Sequence, residues 1–288
     1  MAYRIPVQRR EILRAKLDEL VSTFDLSTIS PDPLEVVRRF DDPLDREVAG
    51  ILAAAFAYGR ADIVVRNVSG VLESMGSSPH AYLAREFDPA EAHVSFRGFS
   101  HRFHKTPDLV ALLTCLAGAI REHGSLGQLF ERVHDRGDRD VGPALTRWAS
   151  ALLAYAGRRP RRSLRFLISS PEDGSACKRM NLFLRWMVRR ASPDLGQWTF
   201  VDPSQLVMPV DTHVHRITTF LGLNRRKAAD WKTARALTDV LATFDAADPV
   251  RYDFAICRLG VLDLCSTKRR KENCDVCQLR EVCRFPVV

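Results

Sequence analysis

The sequence has no apolar run long enough to cross a bilayer. The longest, around Val48 to Tyr58, falls well short of the roughly 20 residues that a spanning helix needs. The opening residues Met1-Ala2-Tyr3-Arg4-Ile5-Pro6 lack the apolar core of a signal peptide, so a cytoplasmic location, with no membrane contact, is expected. No low-complexity tract interrupts the 288 residues, of which 46% are hydrophobic, and this excludes global disorder. No long window alternates apolar and polar residues with a period of two, so the fold is expected to be all-α.

What is present is helical periodicity and positive charge. The formal net charge of +8 favours an anionic partner, though charge alone defines no binding site. Ile12, Leu13, Leu17, Leu20, Val21 and Phe24 recur at helical spacing and predict a helix over 9–25. Pro31 and Pro33 break it, and a short helix over 34–40 follows. Asp45 is read as the cap of the Val48–Tyr58 run, Gly59 as its end, and 61–75 as the next helix. Further helices are expected over 107–123, 125–132, 140–155, 175–190, 212–222, 231–243 and 249–260.

Two stretches between them have competing readings. Ser95 to His104 is aromatic and basic: either a solvated loop with two aromatic anchors, or a surface that stacks bases and grips phosphate. Arg158, Arg159, Arg161, Arg162 and Arg165 crowd one connector, either simply solvated or facing a phosphate backbone.

Two residues suggest chemistry. Lys178 falls in the first turn of its helix, with Asp173 or Ser175 as the expected cap. Unpaired backbone N–H groups there disfavour an ammonium and favour the free amine that a nucleophile requires. The helix terminus supplies only about 0.3–1 kcal/mol. Lowering a lysine pKa to about 7 takes roughly 4–5 kcal/mol. Burial or a neighbouring cation such as Arg179 would have to supply the rest. The plain alternative is a solvated surface lysine. Asp211 precedes the helical stripe Val214, Ile217 and Leu221 and reads as an N-cap, a role compatible with catalysis because it fixes the carboxylate. Asp211-Thr212-His213-Val214-His215 also matches the Asp-x-His-x-His of metal-dependent amidohydrolases. That site needs further histidine ligands, and no histidine follows His215.

The seven cysteines are unevenly placed. Cys265, Cys274, Cys277 and Cys283 form C-x8-C-x2-C-x5-C, a set that can enclose a [4Fe–4S] cluster or a tetrahedral zinc ion. Structural zinc sites usually pair two C-x-x-C units and only one exists here, which favours iron–sulfur. Cys115, Cys177 and Cys257 lie in apolar patterns and read as core residues. Lys268, Arg269 and Arg270 sit on the first loop of the cluster, where cations suit a phosphate backbone.

With the lysine, the Pro209-Val210-Asp211-Thr212-His213 segment and the cysteine loop in this order, the chain resembles the helix-hairpin-helix DNA glycosylase superfamily. The aspartate segment is similar to that of the endonuclease III branch, and the cysteine loop to that branch's C-x6-C-x2-C-x5-C iron–sulfur loop, with a first gap two residues longer. The branch's Leu-Pro-Gly-Val-Gly hairpin is replaced by Asp173-Gly174-Ser175-Ala176-Cys177, and the long gap from Lys178 to Asp211 is closer to the archaeal 8-oxoguanine glycosylases. The resemblance implies a two-lobed, all-α unit over 1–260 with a cleft between the lobes, and the cluster loop, 261–288, packed on it. It implies a monomeric bifunctional glycosylase and AP lyase acting on double-stranded DNA with a damaged base, such as an oxidised purine. Lys178 and Asp211 would be catalytic. Arg60, Arg179, His213, Lys268, Arg269 and Arg270 would contact DNA, with Arg60 filling the gap left by a flipped base. Leu182 and Trp186 would line the base pocket, unless they are plain core. A non-catalytic nucleic-acid-binding protein with the same metal site is the alternative.

Overall fold

A computed structural model describes residues 5–268 and 270–287. The fold is all-α. Among the described residues the one sheet is a hairpin, Ser100–His101 paired antiparallel with His104–Lys105. No single helix is long and apolar enough to cross a membrane.

The helix boundaries follow the local chemistry. Pro43–Ala55 is capped by Asp42, whose carboxylate accepts from the amides of Leu44 (2.7 Å) and Asp45 (3.2 Å). Asp45, the residue expected to cap this helix, is instead buried inside it and accepts from Ser78 Oγ and the His80 amide, tying down the next turn. The helix over Val7–Thr23 buries Leu13, Leu17 and Leu20 on one stripe. Between 79 and 104 the less regular pattern conceals a helix, Pro89–Ser95, started by the Asp88 side chain, which accepts from the amides of Ala90 and Glu91.

The helix Lys178–Val188 is the central element. Every residue after Lys178 is buried. It packs closely on Pro43–Ala55 because Gly50 has no side chain: a Cβ there would stand 2.8 Å from Met187 Cε and 3.2 Å from the Phe183 ring. Phe183 stacks on Trp148 (5.8 Å between centroids, 6° between planes) and meets Trp198 edge-on. Glu47, buried on the opposing helix, accepts from Trp198 Nε1 (2.8 Å) and the Gly127 amide (3.0 Å) at the start of Leu126–Val133.

A helix buried all round must satisfy its charged residues internally. Arg185 and Arg189 do so through the loop that follows. Arg185 pairs with Asp194 (3.1 Å) and Asp253, while Arg189 pairs with Asp194 (2.6 Å) and Asp248 (2.7 Å). Asp253 opens the helix Asp253–Val261, which packs on the helix Thr212–Phe220. Removing one partner of such a buried pair leaves the other charge stranded, at a cost of about 3–5 kcal/mol. Arg185→Met is therefore expected to lower the unfolding free energy by that amount in urea titration. A change below about 1 kcal/mol would show that the pairing does not hold these helices together.

Candidate active site at a cleft between helix N-termini

Lys178 is the first residue of its helix, as the sequence predicts, but neither Asp173 nor Ser175 caps it. The capping position is Cys177, whose backbone turns into the left-handed region (φ +48°), and its thiol bonds the Ser175 carbonyl at 3.4 Å. That conformation is uncommon for a residue with a side chain. It turns the chain sharply just before the lysine. Lys178 Nζ donates to the Ala57 carbonyl at 2.9 Å, just beyond the C-terminus of Pro43–Ala55.

Asp211 is the N-cap of Thr212–Phe220, accepting from the Val214 amide at 2.8 Å through one oxygen. Its other oxygen faces the Cys257 thiol at 3.7 Å, a long contact from a weak donor. Lys178 and Asp211 line the same cleft, of about 830 Å³. Arg60, Arg179, Leu182 and His213 line it too. Of the two expected pocket residues Leu182 lines the cleft, whereas Trp186 is absent from its lining and fully buried in the core, which corrects its expected place in a base pocket.

The cations fall into distinct settings. Arg60 is exposed at the cleft mouth and paired with Asp62 at 2.8 Å. Arg179 is buried, its guanidinium 3.6 Å above the Phe166 ring and bonded to the Phe166 carbonyl. It forms part of an aromatic wall with Tyr58, and burial lowers its pKa to about 10. His213 is half-buried against Gly260, where a Cβ would lie 2.3 Å from the imidazole Nδ1, and burial holds its pKa below the usual histidine range. Lys268 and Arg270 lie away from the cleft lining, on the cysteine loop, where Arg270 pairs with Asp263 at 3.0 Å. Arg269 lies outside the described residues.

Three further groups share the cleft without having been expected there: Asp32, Asp253 and Cys257. Burial raises the pKa of all three, and the positive charge of Lys178 opposes that rise. Asp32 follows a segment clamped by Arg258, whose guanidinium donates to the carbonyls of Ile29, Ser30 and Pro31. None of the three belongs to a local motif. The one available signal was Asp253 and Cys257 at i and i+4, which share a helix face.

Cys265, Cys274, Cys277 and Cys283 all line one small cavity, and all four are free thiols. No histidine or carboxylate lines it. Among the described residues no group of three or more histidine, cysteine or acidic side chains is drawn together closely enough to hold an ion. The donors are sulfur alone, the ligand chemistry of an iron–sulfur cluster or a zinc site of four cysteines, although the four would have to draw closer to hold either. Cys115 and Cys177 are buried, as expected for core residues.

Residues 32–262 match the family described as a protein of unknown function, DUF2400, and the chain belongs to that family. No curated protein and no solved structure matches the chain.

Burial pushes the carboxyl of Asp253 up to about 6, against the attraction of Arg185 and with repulsion from Asp211 adding to it. Its folded pKa lies above its unfolded one, so the stability it contributes is complete below about pH 4 and lost as pH rises through 6. The loss is about 3 kcal/mol at most. Asp32 and Glu47 shift the same way through burial. Asp253→Asn is expected to be less stable overall yet to show a flatter melting temperature between pH 4 and 6. An unchanged slope would assign the titration to other groups.

Proposed function

We propose that the protein is a DNA glycosylase with AP lyase activity, acting in base excision repair on duplex DNA that carries a damaged base. The observation that carries the reading is the convergence of Lys178 and Asp211, 33 residues apart in sequence, on one cleft from the first turns of two helices. A nucleic-acid binder without catalysis has no use for a lysine and a carboxylate that line one cleft from two helix starts. The net charge of +8 supports an anionic partner. The two-lobed glycosylase architecture, with the cysteine loop packed on it, and a monomeric state belong to the same proposal.

In this scheme the damaged nucleotide leaves the stack and enters the cleft. Asp211, with one oxygen held by the Val214 amide, stabilises the positive charge that develops on the sugar as the glycosidic bond weakens. Lys178, as the free amine, attacks C1′ and the base departs with the electron pair of the broken bond. The resulting amine loses a proton and the sugar ring opens to an imine between Lys178 and C1′. Removal of a C2′ proton then expels the 3′-phosphate by elimination, and hydrolysis frees the lysine. Asp253 and Asp32, both raised by burial, stand near the amine and can accept the protons that Lys178 sheds. An oxidised purine is the proposed class of base.

Cys265, Cys274, Cys277 and Cys283 would hold a [4Fe–4S] cluster, or zinc in the second reading of the same donor set. Either would act as a structural fastening of the C-terminal segment. Iron–sulfur is expected to give the anaerobically purified protein a broad visible absorbance. Colourless protein with one equivalent of zinc would replace the cluster by the ion.

The test is borohydride trapping on duplexes containing 8-oxoguanine, a thymine lesion or an abasic site. Wild type is expected to form a covalent adduct and Lys178→Gln none. Asp211→Asn separates the two roles of the aspartate, because asparagine caps a helix as well as aspartate does. It is expected to keep the wild-type melting temperature while adduct formation slows by about a hundredfold. Salt-sensitive duplex binding without any adduct would replace the enzyme by a binding module.

A further inference from the structure

The Ser100–Lys105 hairpin takes no part in the chemistry above, yet it is built to present one exposed aromatic residue. Its base is locked. His101 is buried, with Nε2 on the Tyr58 carbonyl (2.9 Å) and Nδ1 on the Asn67 amide (3.1 Å). His104 is fully buried between the Tyr58 hydroxyl and the Ser163 carbonyl. The two-residue loop between the strands is Arg102-Phe103. Arg102 has φ +53°, a conformation for which such loops favour glycine or asparagine, and its side chain lies across Gly59 beside the cleft mouth. Phe103 is 58% exposed, its ring supported from one side by Tyr58, Phe166 and His104. Tyr58 in turn lines the cleft.

The surroundings are basic. Phe166 ends the segment that carries Arg158, Arg159, Arg161, Arg162 and Arg165, all exposed. Among the described residues none of these five pairs with a carboxylate, in contrast to Arg60, Arg139, Arg147 and Arg235, which do. A single rigid aromatic tip flanked by unneutralised arginines suits a ligand that offers both π-faces and phosphates. A protein partner would call for a broader apolar face than the two exposed rings of Phe103 and Phe166.

We propose that the Ser100–Lys105 hairpin and the Arg158–Arg165 segment form a nucleic-acid contact edge at the cleft mouth. There Phe103 stacks on a base left unpaired where the duplex is opened, and the arginines hold the flanking phosphates. This edge rests on the reading of the cleft as a DNA site, but its test is independent of catalysis.

The experiment is fluorescence anisotropy on two duplexes of equal length. One is intact, and the other carries a tetrahydrofuran abasic analogue opposite 2-aminopurine. Phe103→Ala is expected to weaken binding to the abasic duplex by about tenfold or more, the range of base–aromatic stacking, and to leave the intact duplex unaffected. It should also abolish the quenching of 2-aminopurine, and Phe103→Trp should restore both. Arg161→Ala combined with Arg162→Ala should weaken both duplexes alike and reduce the slope of log Kd against log salt by about two. Wild-type affinity and quenching in Phe103→Ala would overturn the proposal, as would an equal loss on both duplexes. Borohydride adducts with an unaffected Phe103→Ala would reject the edge and keep the enzyme. Selective loss in Phe103→Ala without adducts in wild type would keep the edge and reject the enzyme. No binding of wild type to either duplex would reject both.

Discussion

Arg185, enclosed between Asp194 and Asp253, joins three pieces of chain: the lysine helix, the loop that follows it, and the helix at 253–261. That last helix packs on the one Asp211 caps. The position of the carboxylate relative to the lysine therefore depends on a guanidinium buried one face-length along from Lys178. Two arginines and two aspartates buried together, with Asp248 at their edge, are costly to desolvate, and apolar residues of the same volume would pack there at no such cost. What an apolar core lacks is direction. A bidentate arginine accepts partners only at fixed angles, and here those angles set the register of the helices that line the cleft.

The same geometry suits Lys178 and Asp211 to positions at helix starts. A first-turn side chain is anchored by a rigid rod but faces a region without packed neighbours, so it can point into a cavity without opening a void in the core. Asp211 gains a defined orientation from the Val214 amide. Lys178 is aimed by the left-handed turn at Cys177 and by the Ala57 carbonyl. The neighbouring cation expected to act on the lysine, Arg179, is directed elsewhere, onto Phe166. Asp32, Asp211, Asp253 and Cys257 share the cleft with the lysine.

Much of this was legible in the sequence, for identifiable reasons. Periodicity located most helices because burial on one stripe is a local property, and Asp211 announced its cap by preceding Val214 and Ile217. The misses arise where tertiary contacts decide. Asp42 and Asp45 are equivalent caps in sequence, and only the demand of Ser78 and His80 for a buried acceptor assigns Asp45 elsewhere. Trp186 read as a pocket residue because it lies two turns beyond the lysine, but the structure buries it fully in the core. Asp32 and Asp253 come from opposite ends of the chain, so no spacing rule could bring them to Lys178. The short hairpin went unseen because strands of two residues have too few positions to show alternation.

The cysteine loop is less of an appendage than its terminal position suggests. Arg216, on the aspartate helix, donates to the Cys265 carbonyl, and the Cys265 amide donates to the Leu259 carbonyl on the helix that carries Asp253 and Cys257. From the other side, Arg9 on the first helix reaches the carbonyls of Leu221 and Val282, gripping the end of the aspartate helix and the last turn of the loop together. The loop thus bears on both helices behind the cleft, and through them on the Asp211 carboxylate. A group bound by the four thiolates would stiffen this joint without touching substrate, and its loss would loosen the aspartate before the lysine. Lys178 is held by a separate set of contacts, Gly50 against Met187 and Phe183, that does not pass through the C-terminus. Lys178 and Asp211 therefore rest on different supports, one a packed core and the other a terminus whose four cysteines line one cavity, and the arginine between them joins the two supports.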